Sequence, residues 1–187
     1  MELGFYRFAN KEPNKLAIVG PNEELVSRGE LLSKANKLTH ALRDLGLKKF
    51  DTVAVVLPNS VEYFVVYMAC LQAGFYLVPI NWHLAGPEIA YILEDSEAKA
   101  FIASGKNPDM EKACINAVSE ISFNKKGCIT IDELEGFRHI DDFTKSMPDE
   151  NPHDRSAGQV MNYTSGTTGK PKGVKRNLVE GDPDDVL

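Results

Sequence analysis

The stretch TVAVVL (residues 52–57) is one threonine followed by an uninterrupted run of apolar residues, three of them valines. A strand without polar alternation is normally covered on both faces, as in the parallel sheets of α/β proteins. Helical patterns lie on both sides of it. Ser27 and Glu30 form a capping box before leucines at helical spacing, and Asn59 with Glu62 is predicted to cap the following helix. The stretch therefore predicts a strand between two helices in an α/β fold.

The alternation of strand and helix continues after this stretch. Further helices are predicted to begin at Pro87 and at Asn107-Pro108, where the residue types favour a first helical turn. Further strands are predicted at YLVPI (76–80), KAFIAS (99–104) and GCITI (127–131). A chain that alternates at this pace predicts a doubly wound, mainly parallel sheet with flanking helices.

The two ends of the chain carry their own patterns. KLAIVG (15–20) and EELVS (23–27) flank a short turn and predict an N-terminal β-hairpin. Asp182 and Pro183 are residue types that open a helix. We therefore expect a chain cut short of its natural end, with a frayed acidic tail as the alternative. The predicted parts are a doubly wound α/β subdomain (1–158) that ends in an acidic connecting loop (132–158), a strand–loop–strand unit (159–176) opened by the strand QVMNY (159–163), and a tail (177–187).

Composition narrows the class of protein. The 187 residues carry a net charge of −6 and no stripe of basic residues interleaved with aromatics, which argues against a nucleic-acid partner. Cys70, Cys114 and Cys128 are too widely spaced for a zinc site or a disulfide framework, and we expect buried thiols in a reducing compartment. The first residues lack an apolar stretch of signal-peptide length, so a cytoplasmic location is expected.

Residues 63–82 lack charge over a length that could span a bilayer. Gln72, Gly74, Pro79 and Asn81 interrupt this stretch, its first half has helical spacing, and its second half is rich in β-formers. We predict a buried helix that turns into a buried strand, with a transmembrane segment as the alternative. Peripheral membrane contact and a homodimer stay open at this stage.

The loop YTSGTTGKPKG (163–173) holds three glycines, four serine or threonine hydroxyls and two lysines in eleven positions. Glycine lets backbone N–H groups turn toward an oxyanion, hydroxyls add donors and lysine adds charge, so the loop predicts phosphate binding. A plain surface linker is the alternative. The Walker A pattern fails because Thr164 stands where glycine is required and Pro171 where a hydroxyl is required, and the dinucleotide fingerprint G-x-G-x-x-G is absent.

YTSGTTGKPKGV (163–174) resembles the signature loop of the adenylate-forming enzymes, which include acyl-CoA synthetases, peptide-synthetase adenylation domains and firefly luciferase. Residues 53–104 are also similar to the acyl-CoA synthetase branch, with fatty-acid–CoA ligases as the nearest likeness. The resemblance implies an incomplete large amino-terminal domain of an acid–CoA ligase. In that reaction a carboxylic acid, expected to be a fatty acid, and ATP give an acyl-adenylate and pyrophosphate, and coenzyme A then captures the acyl group.

The resemblance also implies roles for residues of the loop. Lys170 occupies a variable position and is expected to be a solvated charge, while Tyr163 and Pro171 are expected to shape the loop. Thr164 is expected to contact Mg²⁺ as well as phosphate. The residues implied to bind ATP and pyrophosphate are Thr164, Ser165, Gly166, Thr167, Thr168, Gly169, Lys172 and Gly173.

Other parts of the family pattern have no match in this sequence. Lys175-Arg176 stand where the family often has a threonine–histidine pair, which leaves the wall of the acyl pocket undetermined. The adenine-binding segment, the ribose-binding aspartate and the mobile domain with its catalytic lysine match no stretch. We therefore assign no catalytic residue and expect no turnover from the chain alone. The alternatives are a non-catalytic module that binds phosphate or a protein partner, and an adenylation domain that loads a carrier protein.

Overall fold

Strands and helices alternate along the chain in a computed structural model that describes residues 4–164 and 169–186. The elements in chain order are α1 (Phe5–Lys11), β1 (Leu16–Val19), β2 (Leu25–Ser27), α2 (Arg28–Asp44), β3 (Thr52–Val56), α3 (Val61–Ala73), β4 (Tyr76–Pro79), α4 (Gly86–Asp95), β5 (Ala98–Ala103), α5 (Pro108–Glu120), β6 (Cys128–Thr130), β7 (Arg138–His139), α6 (Ile140–Thr144), β8 (Gln159–Val160), β9 (Asn162–Thr164), β10 (Lys172–Val174) and α7 (Pro183–Val186). The predicted N-terminal hairpin is confirmed as the antiparallel pair β1–β2.

A parallel sheet forms the centre of the molecule. Within the described ranges it has six strands in the order β7-β6-β5-β3-β4-β8, and all adjacent pairs are parallel. Val53 of β3 pairs with Leu77 on one side and Ala100 on the other. All of β3 is buried. The predicted doubly wound parallel sheet is therefore confirmed.

Helices cover both faces of this sheet. On one face, Val53 and Val55 belong to a core that includes buried side chains of α2, α3 and α6. On the other face, Ala54 and Val56 belong to a second core with buried side chains of α4 and α5. Successive strand residues point to opposite faces, so a strand that is covered on both sides needs apolar residues at every position. This explains the composition of residues 52–57.

Most helix starts follow the predicted caps. Glu30 N donates to Ser27 Oγ at 3.2 Å and Ser27 N donates to Glu30 Oε2 at 2.8 Å, which confirms the capping box of α2. The prediction for α3 was wrong by one residue. Ser60, not Asn59, is the last extended residue, and its Oγ accepts from Tyr63 N at 3.2 Å. Either side chain suits the position, and the backbone of the turn decides which one occupies it.

The uncharged stretch 63–82 divides as predicted. Helix α3 ends at Gly74, whose φ of 72° is left-handed, and β4 follows directly. Glycine adopts this conformation without a steric penalty, so the chain can reverse there. Among the described residues, no helix has both the length and the apolar character to cross a membrane.

The segment expected to be a surface connection, 132–158, contains two short elements. Strand β7 extends the sheet beside β6, and Ile140 and Phe143 of α6 are buried in the first core.

The predicted strand QVMNY is two strands, β8 in the main sheet and β9 in a separate hairpin. Met161 lies between them, is buried, and donates its backbone N–H to Leu77 O at 2.8 Å. The chain leaves the sheet after this last ladder contact.

Helix α7, which the residues from Asp182 onward predict, packs against the beginning of the chain. The Arg155 guanidinium contacts Asp184 Oδ2 at 2.6 Å and Asp182 Oδ1 at 2.5 Å, and it lies 5.2 Å from the centroid of the Tyr6 ring. Arg7 N donates to Asp184 Oδ1 at 2.8 Å. This charged cluster joins α1, the segment before β8 and α7.

The three cysteines are buried and unpaired, which confirms the expected buried thiols.

Candidate functional site

The predicted phosphate loop lies in the hairpin β9–β10, at the edge of the sheet where the parallel strands have their carboxyl ends. β8 ends at Val160, and the antiparallel hairpin begins two residues later, at Asn162. Thr164 pairs with Lys172 and Tyr163 pairs with Gly173. In open α/β sheets, ligands bind beyond this edge. Four of the predicted loop residues lie outside the described residues: Ser165, Gly166, Thr167 and Thr168.

The outer face of the hairpin carries the predicted polar groups. Thr164 and Lys172 are directly opposite each other across the two strands, so their side chains project from the same face, and both residues are exposed. Directly opposite residues place their Cβ atoms about 4.5–5.5 Å apart. None of the ion pairs found among the described residues involves Lys172. A threonine hydroxyl and an ammonium group are thus presented together to solvent.

A depression of about 370 Å³ adjoins this outer face. Its lining includes the polar residues Asn162, Thr164 and Arg176 and the residues Tyr67, Leu71 and Val160. Apolar lining with a few convergent polar groups is typical of small-molecule sites. The depression therefore places mixed polar and apolar surface beside the exposed Thr164.

Gly169 is the first described residue after positions 165–168. Its φ is 95°, in the left-handed region that favours glycine. Among the described residues, a Cβ at this position would meet nothing within 4 Å. The backbone conformation therefore favours glycine here.

The inner face of the hairpin packs on helix α4. Tyr163 Oη donates to Asp95 Oδ2 at 2.7 Å, and Tyr91 Oη donates to Pro171 O at 3.1 Å. Lys170, expected to be a solvated charge, is exposed and places its Nζ 4.8 Å from the centroid of the Tyr91 ring. Within the described residues, the hairpin therefore has an exposed outer face and an inner face held by a helix.

Gly173 lies on the inner face, opposite Tyr163. A Cβ at Gly173 would lie 3.0 Å from Cε2 and Cζ of the Tyr163 ring. The structure therefore gives this residue a packing reason, in addition to the ligand contact implied by resemblance. The aromatic ring crosses the space that a side chain would fill.

The phenols of the inner face remain donors at neutral pH. Burial, and then the Asp95 carboxylate, raise the pKa of Tyr163 above its ordinary value. Desolvation and the same carboxylate raise the pKa of Tyr91. Both hydroxyls keep their protons and can hold the carboxylate and the carbonyl described above.

The chain after β10 is fixed to strand β4. Tyr76 Oη donates to Arg176 O at 2.7 Å, and Lys175 Nζ lies 4.7 Å from the centroid of the Tyr76 ring. The residues that depart from the family pattern, Lys175-Arg176, thus end the hairpin against the sheet. Arg176 also borders the depression.

Sequence reasoning missed Tyr76, Tyr91 and Asp95, which hold the hairpin. The spacing of Tyr91 and Asp95, four residues apart on a helix, places both on one face. This spacing predicts that the two side chains share one face of the helix. It does not predict what that face contacts, because Tyr163 is 68 positions beyond Asp95.

The described residues fit a magnesium ion only in part. Across residues 4–164 and 169–186, no group of three or more histidine, cysteine or carboxylate side chains is placed to hold a metal. Thr164 offers one hydroxyl oxygen. Magnesium commonly keeps several waters and binds through one or two protein oxygens plus substrate phosphates, so Thr164 suits an ion brought in with a nucleotide.

Comparison with known proteins identifies the family. Residues 5–178 match the profile of the family described as AMP-binding enzyme. The chain belongs to this family. It is 31% identical over 170 residues to a long-chain-fatty-acid–CoA ligase of Mycobacterium tuberculosis, and the alignment covers 89% of this chain and 32% of that protein. It is 32% identical over 173 residues to a fatty acid–[acyl-carrier-protein] ligase of Streptomyces coeruleorubidus, with 89% and 30% covered.

Solved structures agree on the fold. An anthranilate–CoA ligase in complex with anthranoyl-AMP superposes with a TM-score of 0.76 at 24% identity, over 97% of this chain and 34% of that chain. The predicted resemblance to adenylate-forming enzymes, and to acyl-CoA ligases among them, is confirmed at the level of the family. The chain spans about a third of the length of these relatives.

Proposed function

We propose that this chain is the amino-terminal part of an ATP-dependent acid–CoA ligase, and that hairpin β9–β10 binds the β- and γ-phosphates of ATP. The observation that carries the proposal is the cross-strand pair Thr164–Lys172 on the free face of the hairpin, at the carboxyl edge of a parallel sheet. Gly169, in its left-handed conformation, adds a backbone suited to turning N–H groups toward an anion.

The proposed reaction has two steps. A carboxylate oxygen of the acid attacks the α-phosphorus of ATP, the bond to the bridging oxygen breaks, and pyrophosphate leaves with the electron pair. The sulfur of coenzyme A then attacks the acyl carbon, a thioester forms, and AMP leaves. Two negative charges at about 4 Å repel by roughly 4 kcal/mol at an effective dielectric constant near 20, so the first step needs neutralising groups.

In this proposal Lys172 supplies the positive charge, and the hydroxyls and backbone N–H groups of the loop supply hydrogen bonds. Such donors act most strongly where charge develops, here on the departing pyrophosphate. Thr164 would contribute one ligand to Mg²⁺, which when bound neutralises phosphate charge. The proposed contacts also include Ser165, Gly166, Thr167, Thr168 and Gly173, on the basis of the resemblance.

We propose a fatty acid as the substrate and coenzyme A as the acceptor, in a cytoplasmic protein. The support is the similarity to a fatty-acid–CoA ligase at 31% identity. A carrier protein is the second candidate acceptor, because a comparable relative at 32% identity is a fatty acid–[acyl-carrier-protein] ligase. Competition between coenzyme A and a carrier protein for the acyl-adenylate, in the complete natural polypeptide, separates the two acceptors.

Matched lysine variants test the phosphate site. In the complete natural polypeptide, we expect Lys172→Ala to weaken pyrophosphate binding with magnesium by about ten- to a hundredfold, as for hydrogen bonds to charged groups. Lys170→Ala is the control, because its Nζ lies against the Tyr91 ring. We expect it to change binding less than about threefold. Isothermal calorimetry measures both, and equal losses would contradict the assignment.

An assay of the 187-residue chain tests whether this part alone is catalytic. A phosphate site alone does not orient adenosine and the acid, and misplacement by about 1 Å can lower a rate about a hundredfold. We expect pyrophosphate release to stay at background with a panel of fatty and aromatic acids. Turnover by this chain would contradict our proposal that the catalytic groups lie in other parts of the protein.

A further inference from the structure

Helix α4 contacts the phosphate loop on both sides of residues 165–168. On the amino-terminal side, Tyr163 Oη donates to Asp95 Oδ2 at 2.7 Å. On the carboxyl-terminal side, Pro171 O accepts from Tyr91 Oη at 3.1 Å. Tyr91 and Asp95 are four residues apart and lie on one face of the helix. One rigid element therefore holds both ends of the loop.

The two contacts differ in chemical character. The Tyr163–Asp95 bond joins a hydroxyl to a carboxylate, and such charge-assisted bonds are short and about twice as strong as neutral ones. Tyr91 Oη is also 3.5 Å from Asp95 Oδ1, at the limit of a hydrogen bond. The single Tyr91 hydroxyl proton therefore goes to Pro171 O, and Asp95 is held mainly by Tyr163.

Helix α4 is itself fixed by the second core. Ile89, Ile92 and Leu93 are almost fully buried, and the helix packs against α5. Asp95, in contrast, is exposed, and Tyr91 is half-buried. The buried side of the helix sets its position, and the other side is free to position the hairpin.

We propose that Asp95 and Tyr91 are positioning residues for the phosphate loop, an inference that rests on the proposed function of that loop. Neither residue touches phosphate. Both act through the hairpin, by keeping Thr164 and Lys172 opposite each other on its outer face. Holding a loop in its bound conformation before the ligand arrives lowers the ordering cost of binding.

The test measures pyrophosphate binding and unfolding together in the complete natural polypeptide. Tyr163→Phe and Asp95→Ala should each weaken magnesium–pyrophosphate binding about five- to twentyfold, because either change removes the charge-assisted bond. The double variant should be no weaker than the worse single variant, since both remove one interaction. Tyr91→Phe should weaken binding about threefold. The unfolding midpoint should stay within about one degree for all of them, because the bonds are at the surface.

Glu94→Gln is the matched control. Glu94 is exposed on the same helix, next to Asp95, and the structure gives its side chain no bond to the described part of the hairpin. We expect Glu94→Gln to bind magnesium–pyrophosphate as tightly as the unchanged protein does. A loss equal to that of Asp95→Ala would overturn the inference, because it would indicate a general effect of charge.

The remaining outcomes separate the two proposals. If the unchanged protein does not bind pyrophosphate, the phosphate site is overturned, and the positioning role with it. If it binds and Tyr163→Phe and Asp95→Ala bind equally well, only the positioning role is overturned. Additive losses of binding in the double variant would also overturn the positioning role, because the two residues would then not act through one bond. A lower unfolding midpoint in parallel with weaker binding would overturn it too, because the residues would then stabilise the fold in general.

Discussion

The central sheet and the hairpin β9–β10 are held by different forces. In the sheet, every residue of β3 is buried, and helices cover both faces. In the hairpin, Asn162, Thr164, Lys172 and Val174 are exposed, and the inner face is fixed by a few polar and aromatic contacts. Burial makes the sheet rigid, whereas the hairpin leaves polar groups free for a ligand. The candidate site is thus a weakly packed unit on a strongly packed support.

This difference predicts how each region responds to mutation. A change in the sheet should lower the free energy of unfolding, because it removes buried apolar contacts or leaves a cavity. A change in the hairpin should alter ligand binding and leave unfolding nearly unchanged, because surface polar contacts contribute little to stability. The predictions below test this separation.

The largest expected effect is in the core. Phe101→Ala should lower the free energy of unfolding by about 3–5 kcal/mol, the usual loss for a buried phenylalanine. Phe101 is 0% exposed, and its ring meets the rings of Phe123 and Phe137 edge to face, with centroids 6.4 and 5.9 Å away. Urea unfolding followed by circular dichroism measures the change.

Phe64→Ala is the control for the core prediction. Phe64 is on α3 but 45% exposed, so its removal should cost less than about 1 kcal/mol. If both variants lost the same stability, burial would not determine the cost of removing a phenylalanine ring. The proposed difference in stability between the sheet and the hairpin would then be wrong.

An intermediate effect is expected at the cluster that joins the two ends of the chain. Arg155→Ala should cost about 2–3 kcal/mol, less than the ~3–5 kcal/mol for fully buried ion pairs, since Asp182 is partly exposed. The Arg155 side chain is 11% exposed, and the change leaves Asp182 and Asp184 without their shared cation. Urea unfolding of the complete chain measures it.

An exposed ion pair gives the comparison for Arg155. Arg43 contacts Asp154 Oδ1 at 2.6 Å, but the Asp154 side chain is 81% exposed. Asp154→Asn should therefore cost less than about 1 kcal/mol. Should Arg155→Ala cost no more than Asp154→Asn, the cluster would be a surface contact that does not stabilise the fold.

The sequence predicts the sheet well because local patterns encode it. An apolar run such as 52–57 reports burial on both faces, and Ser27 with Glu30 marks a helix start within four residues. The cap at Ser60 rather than Asn59 shows the limit of such patterns. Both residues suit an N-cap, so the sequence does not say which of the two occupies that position. Strand β7 and helix α6 were missed because elements of two and five residues are too short to show a period.

The support of the candidate site was less predictable for a different physical reason. The composition of the loop indicates phosphate binding, but the groups that hold it are far away in the sequence. Tyr91 and Pro171 are 80 positions apart, and Tyr76 and Arg176 are 100 apart. Such contacts depend on where the whole sheet places its strand ends, which no local pattern records.

The smallest effect on stability is expected at Gly173. A Cβ at this position would lie 3.0 Å from the Tyr163 ring, so in Gly173→Ala the ring must move by a few tenths of an ångström. The shift would loosen the Tyr163–Asp95 bond and weaken pyrophosphate binding about threefold, while unfolding should change by less than about 1 kcal/mol. In a Tyr163→Phe background the same substitution should add little, because the bond it disturbs is already gone. Calorimetry and urea unfolding on the four proteins of this cycle measure both quantities. A loss of stability as large as that of Phe101→Ala would mean that the hairpin unfolds with the core, and the site would then be part of the support rather than a unit placed upon it.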